Sequence, residues 1–398
     1  MDFYKKKLKN GIIVIMEKRD LDVVSLSITN KVGASLEKSE IKGISHFIEH
    51  LVFMGTEKRS HEDISREIEK RGGILNAFTA DQVTSFWFKL PSEHVFSGLD
   101  ILIDMLKNPR FDPEKFEKEK KVILEEIKMY HDTPSRDIFD KIKANLYKSP
   151  FGEPVIGFKE SVSKLDRDFV ISYFKKVYNP SNYIVTIVGN CDFEKICRYI
   201  EKNFDGSGKV EVEFKVERIN KESVEERQGL DQAHFVFAIH APLPGEKEHY
   251  AMQVLDAYLA NGMSSKIFLE VREKRGLAYA VKSMIECEKN YSHYIIYVGT
   301  MKDKVDEVKR IIIEEFEKVV NMSENELEEA KQQLIGLKRI SAEESANVMN
   351  ELMMHELVGD VEDYYKFEEK IKRVKLEDIK KLAADSIKNY STAAIVPK

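Results

Sequence analysis

His46-Phe47-Ile48-Glu49-His50 places three side chains capable of chemistry within five residues. Imidazoles four apart on a helix stand about one turn from each other on one face, close enough to reach a single metal ion. With His46 at zero on a helical wheel, Glu49 falls at about 300° and His50 at about 40°, so the carboxylate shares that face. The order reverses the commoner H-E-x-x-H metal-binding helix. The chemistry it offers is the same: two neutral imidazoles for a zinc ion and a carboxylate beside the bound water. Phe47, Ile48, Leu51, Val52, Phe53 and Met54 make the segment apolar on nearly every side, as in a buried helix. Two histidines and a glutamate left unpaired in a dry core would cost several kcal/mol, and a metal ion removes that conflict.

A catalytic zinc site with one open position needs a third protein ligand. The segment Asp112–Tyr130 offers candidates, with Asp112 as an N-cap and Pro113 as the first helical residue. On a wheel with Phe116 at zero, Ile123, Ile127 and Tyr130 form the buried stripe at about 340°, 20° and 320°. Glu119 at about 300° and Glu126 at about 280° lie inside that arc, whereas Glu125 at about 180° faces water. Two inward acids seven residues apart are costly unless cations meet them.

These residues resemble the pitrilysin family of zinc peptidases, the inverzincins, also known as family M16. His46-x-x-Glu49-His50 followed 76 residues later by Glu126 carries the likeness, with support along nearly the whole chain. Supporting stretches are Leu8-Lys9-Asn10-Gly11, Val32-Gly33-Ala34, HFIEHLVFMGT, GGILNAFTADQVTSF, LDILIDMLKNPRF, EKEKKVILEEIKMYHDTP and Arg272–Tyr279. The resemblance implies zinc held by His46, His50 and Glu126, with Glu49 as general base and Glu119 orienting or tuning the site. It implies that Arg272 and Tyr279 stabilise the oxyanion of the tetrahedral intermediate. From the sequence alone, Leu75-Asn76-Ala77-Phe78 after Gly72-Gly73 reads equally as an ordinary buried strand or as an open edge. The resemblance implies an edge to which a peptide adds as an extra strand. It also implies two homologous α+β domains, and pairing of half-length chains into a homodimer whose domains enclose a chamber.

A chain of 398 residues is long enough for two or more domains. Lys+Arg 63 against Asp+Glu 69 leaves a net charge of −6, too balanced to suggest nucleic acid or an anionic membrane as partner. Met1–Asp20 has lysines without a long apolar core, unlike a secretory signal, and no 18-residue apolar run suggests a membrane span. Cys191, Cys197 and Cys287 are too few and scattered for a disulfide framework, which suggests a reducing, cytoplasmic setting.

The chain repeats once. Phe116–Lys120 aligns with Leu327–Lys331, and Leu165–Asp168 with Leu376–Ile379, both at an offset of 211. In the second copy Leu337 stands where Glu126 would, and no H-x-x-E-H occurs. The expected domains are a zinc-binding domain over 1–210, a polar linker over 211–228 and a second α+β domain over 229–398. Strands are expected at Ile12–Glu17, Val23–Lys31, Leu75–Thr79 and Thr84–Leu90. Helices are expected at Gly43–Met54, Ser60–Arg71, Ser92–Leu106, Pro113–Tyr130 and Pro134–Leu146. This mix predicts α+β domains, each a mostly antiparallel sheet covered by helices. The expected function is zinc-dependent hydrolysis of peptides or unfolded segments. Alternatives are a non-catalytic partner subunit and a metal-binding interaction protein of the same fold.

Overall fold

The computed structural model describes residues 2–204 and 215–398. The chain forms two compact units, neither continuous in sequence. The first comprises Met1–Lys128, Pro154–Phe214 and Ser341–Leu357, and the second Met129–Glu153, Lys215–Ile340 and Val358–Lys398.

The first unit is built on strands β1 (Asp2–Lys7), β2 (Ile13–Lys18), β3 (Val23–Asn30), β4 (Ile74–Thr79), β5 (Thr84–Pro91) and β6 (Tyr183–Gly189). Their order across the sheet is β1-β2-β6-β3-β5-β4. Only β2 and β6 run parallel, and the other pairs are antiparallel. The helices that follow in sequence are α1 (Ile44–Phe53), α2 (His61–Glu69), α3 (Val95–Lys107), α4 (Pro113–His131), α5 (Pro134–Leu146), α6 (Lys159–Lys164), α7 (Arg167–Val177) and α8 (Phe193–Asn203). β3 shows how the sheet divides its faces. Val24, Leu26 and Ile28 point one way into the apolar core, while Ser25, Ser27 and Thr29 point the other way and are also buried.

The second unit repeats this plan with β7 (Glu222–Arg227), β8 (Ala233–His240), β9 (Ala278–Cys287), β10 (Ser292–Thr300) and β11 (Tyr390–Pro397). The order is β7-β11-β8-β10-β9, which is the first sheet without β1, and its one parallel pair, β7 with β11, matches β2 with β6. The helices that follow in sequence are α9 (Lys247–Leu259), α10 (Lys266–Phe268), α11 (Val305–Lys318), α12 (Glu324–Ser341), α13 (Ser345–Val358), α14 (Phe367–Lys372) and α15 (Leu376–Ser386). Its core gathers Phe235, Phe237, Val254, Leu255, Ile296, Ile311, Ile312 and Phe316.

α12 starts 211 residues after α4, and α13 starts 211 residues after α5. The repeat seen in sequence is therefore a repeat in three dimensions. The copies exchange one helix: α5 belongs to the second unit, and its counterpart α13 to the first. In the second unit α5 packs on β8 and β11. In the first, Ser345 at the start of α13 meets Ser25 on the serine face of β3, Oγ to Oγ at 2.9 Å.

Two expectations need correction. A single division at 210–229 misses the exchange of α5 and α13. The linker over 211–228 is also not linker throughout: residues 211–214 lie outside the described residues, but β7 is a strand of the second sheet. Its sequence, ESVEER, reads as polar because β7 is an edge strand with alternate residues exposed. Among the described residues, no helix is long and apolar enough to cross a membrane.

Candidate metal centre

The centre begins with the way the chain enters α1. Gly43 has φ +95°, and a Cβ there would lie 2.5 Å from the Ile156 carbonyl oxygen, so only glycine fits. Glu37, in the connection after β3, then takes up the free amides of the helix start. Its Oε2 accepts from the Gly43 N–H at 2.8 Å and its Oε1 from the Ser45 N–H at 2.7 Å. Ile44, Phe47, Ile48, Leu51 and Val52 are buried, which leaves His46, Glu49 and His50 on the face that remains partly open.

α4 brings the third donor. Asp112 caps it through Oδ1, which accepts from the Glu114 and Lys115 N–H groups at 3.0 and 3.1 Å. The Phe116 ring packs on Phe47 of α1 with centroids 4.9 Å apart. This contact sets the helix so that Glu126 faces the histidines while Glu125 is exposed. Glu126 Oε2 lies 3.9 Å from His46 Nε2 and 3.7 Å from His50 Nε2. One ligand atom from each of the three residues falls within 4.8 Å of the others.

These separations are too long for hydrogen bonds. Four ligands at zinc–nitrogen and zinc–oxygen distances of about 2.0–2.2 Å stand about 3.3–3.6 Å apart in a tetrahedron. The Glu126 oxygen thus needs to close on each imidazole nitrogen by only a few tenths of an ångström to share an ion with it. His46 Nδ1 is buried without a hydrogen-bond partner, so the ring's polar contact is made through Nε2. Two imidazoles and a carboxylate are a zinc donor set, and the residues fit that metal.

The surrounding charges bear on the same point. Burial, and then the neighbouring His50, push the His46 pKa down to about 3, so this ring is neutral and able to ligate. For His50, burial acts downward. The hydrogen bond to Glu119 and the charges of Glu126, Glu49 and Glu119 outweigh it and raise the pKa. Glu119 Oε2 lies 3.4 Å from His50 Nδ1, the ring nitrogen not directed at Glu126, and so orients the ring. Burial raises the Glu49 pKa against the pull of the Thr79 hydroxyl, which donates to Glu49 Oε2 at 2.5 Å.

Leu75, Asn76, Ala77 and Phe78 lie on β4, which ends the first sheet and pairs only with β5 among the described strands. Its outer side pairs with no other strand among the described residues, and the Ala77 N–H donates to the neighbouring Asn76 Oδ1 at 2.8 Å. Arg272 and Tyr279 lie in the second unit. Arg272 sits on a π-helical turn, Leu269–Glu273, with its guanidinium 5.1 Å from the Phe268 ring centroid. Tyr279 is the second residue of β9 and is 46% exposed, with its hydroxyl 3.3 Å from that of Tyr297. The Tyr297 hydroxyl in turn lies 2.8 Å from His234 Nδ1.

Local spacing did not reveal Thr79 or Glu37, the residues that hold the Glu49 carboxylate and the helix start. A second acid–histidine group, His131, Asp137 and Glu225, also escaped notice because its members come from different elements. Its two carboxylates already have cations. Arg227 binds both, and Lys141 binds Glu225, which holds the Glu225 pKa down at about 2.

Two copies of one α+β plan, of which the first carries a zinc-type donor set on an inverted H-x-x-E-H helix, define the class: a metallopeptidase fold of two α+β units. Residues 13–158 match the family described as Insulinase (Peptidase family M16), and residues 164–334 match the Peptidase M16 inactive domain. An uncharacterized zinc protease of Rickettsia felis is 31% identical over 405 residues, covering 99% of this chain and 97% of that protein. The uncharacterized zinc protease YmxG of Bacillus subtilis is 30% identical, covering 98% of this chain and 97% of that protein. The chain belongs to peptidase family M16. Two solved structures share the fold. A protease from Helicobacter pylori has TM-score 0.91 at 20% identity, covering 100% of this chain and 99% of that one. A peptidase M16 inactive domain from Pseudomonas fluorescens has TM-score 0.90 at 16% identity, covering 100% and 98%.

Proposed function

We propose that the chain is a zinc-dependent endopeptidase acting on peptides or unfolded polypeptide segments. The observation that carries this reading is the convergence of His46 Nε2, His50 Nε2 and Glu126 Oε2 beside a carboxylate, Glu49, that is not needed as a ligand. His46, His50 and Glu126 would hold zinc, and Glu119 would fix the His50 ring. When bound, zinc supplies a Lewis acid that polarises the scissile carbonyl and makes water acidic near neutral pH. Glu49 takes the proton from the attacking water and delivers it to the leaving amine. Its raised pKa suits a group that must both accept and return a proton. The open edge of β4 receives the substrate backbone as an added strand, which makes affinity tolerant of side-chain identity. Arg272 and Tyr279 are assigned the developing oxyanion on the family pattern. A homodimer enclosing a chamber, in the cytoplasm, completes the reading.

A non-catalytic subunit of the same fold is the competing reading. The match to an inactive domain falls on residues 164–334, outside the donor set, so it does not favour that reading for the first half. The test is turnover of a quenched fluorogenic peptide mixture by the purified chain, before and after chelation and zinc replacement. Activity that is lost and regained with zinc is the expected result. No cleavage at full zinc occupancy would overturn the peptidase reading in favour of a binding role.

A further inference from the structure

Thr79 is the last residue of β4, paired across the hairpin with Thr84. Side chains alternate along a strand, so Leu75, Ala77 and Thr79 share one face and Asn76 and Phe78 the other. The Thr79 hydroxyl reaches Glu49 on α1 and donates to Oε2 at 2.5 Å. No other hydrogen bond to the Glu49 side chain occurs among the described residues, so Thr79 alone selects which carboxylate oxygen is engaged.

The hairpin beyond Thr79 is itself anchored. A Cβ on Gly33 would lie 2.3 Å from the Ala80 carbonyl oxygen and 2.6 Å from the Val83 nitrogen, so the β3 end and the turn are in backbone contact. The Ala34 and Ser35 N–H groups donate to the carbonyls of Ala80 and Asp81 at 3.0 and 2.7 Å. The Val32-Gly33-Ala34 motif thus clamps the turn, the turn fixes Thr79, and Thr79 fixes Glu49.

We infer that Thr79 is a positioning residue for the base: its hydroxyl holds the Glu49 carboxylate and ties it to the edge strand that receives the peptide. The inference rests on the peptidase reading above. A hydroxyl is required and a β-branched shape is not, so Thr79→Val and Thr79→Ser separate the hydrogen bond from the packing.

The test uses the zinc-loaded full chain and one fluorogenic peptide from the mixture. Thr79→Val should lower kcat about 10–100-fold, the scale of losing a group that orients a catalytic residue. KM should stay within about twofold, and Thr79→Ser within about threefold of the wild-type kcat. Zinc content by mass spectrometry and the thermal midpoint should be unchanged. In a Glu49→Gln background, Thr79→Val should cause no further loss, because no base remains to position. In that background the fluorescein-labelled, unquenched form of the same peptide should bind equally with and without Thr79→Val by anisotropy. Wild-type kcat in Thr79→Val, equal losses in Val and Ser, additive losses in the double variant, or weakened peptide binding would each overturn the positioning role. An inactive wild-type chain at full zinc occupancy would instead refute the peptidase reading, and this inference with it.

Discussion

Replacing Glu37 with glutamine should change how the stability of the first unit depends on pH. Glu37 is 2% exposed, and its two oxygens accept from the Gly43 and Ser45 amides at the start of the histidine helix. Burial pushes its pKa up to about 7 from 4.5, although the Lys42 charge and the hydrogen bonds pull the other way. The folded state therefore holds the proton more tightly than the unfolded chain. The stability this contributes is complete below the unfolded value, 4.5, and is lost as pH rises through about 7. At about 1.4 kcal/mol per unit, a shift of about 2.5 units is worth about 3 kcal/mol. His46 titrates in the opposite sense in this window but does so in both proteins, so the difference between wild type and Glu37→Gln isolates Glu37. Trp87, the single tryptophan, lies on β5 and makes fluorescence a reporter of the first unit. Urea unfolding of the metal-free proteins should show Glu37→Gln less stable at about pH 5, where the amide presents N–H where an acceptor is needed. Between about pH 5 and pH 8 the variant should gain about 2.5 kcal/mol on the wild type, most of the full effect. Parallel stability curves across that range would refute the account of a buried, proton-holding cap.

Glu49→Gln should keep zinc, measured by mass spectrometry, while turnover falls at least about a hundredfold, the scale of a lost general base. Retained activity would remove Glu49 from that role. Glu126→Gln should weaken zinc binding in a chelator competition, whereas exposed Glu125→Gln should leave binding and turnover nearly intact. Glu119→Gln should fall between them, at about 10–100-fold in metal affinity. Tyr279→Phe should keep zinc and folding but lose about 10²–10³ in kcat if its hydroxyl is an oxyanion donor. An unchanged kcat would remove it from the site.

The parts of the fold that were legible have strong periodicity. α1 is apolar on nearly every side except its His46, Glu49 and His50 face, and α4 is apolar on a well-defined arc, so both the helices and the direction of Glu126 and Glu125 could be read from a wheel. The repeat was legible because α4 and α12 keep their offset. β7 was not, because an edge strand with four charged residues in six resembles a linker. The exchange of α5 and α13 was not legible either. An amphipathic pattern says which face is buried, not which sheet buries it. Thr79 and Glu49 are 30 residues apart, and only the close of the β4–β5 hairpin brings them together.

The helix exchange sets an order on synthesis. Domains generally fold from the N-terminus as the chain is made, at about 5–20 residues per second. The first unit cannot finish in that way, because it needs Ser341–Leu357. That segment leaves the ribosome roughly 6–25 s after residue 214, by the same elongation rate. Until then the face of β3 that α13 meets stays wet. α13 meets it at Ser25, whose hydroxyl can bond to water during the wait and to Ser345 when it arrives, while Thr29 on the same face is already held by Ser85 of β5. A leucine face there would leave a sticky half-sheet on every nascent chain. The polarity of this face fits a unit whose first-made residues are among the last to be covered.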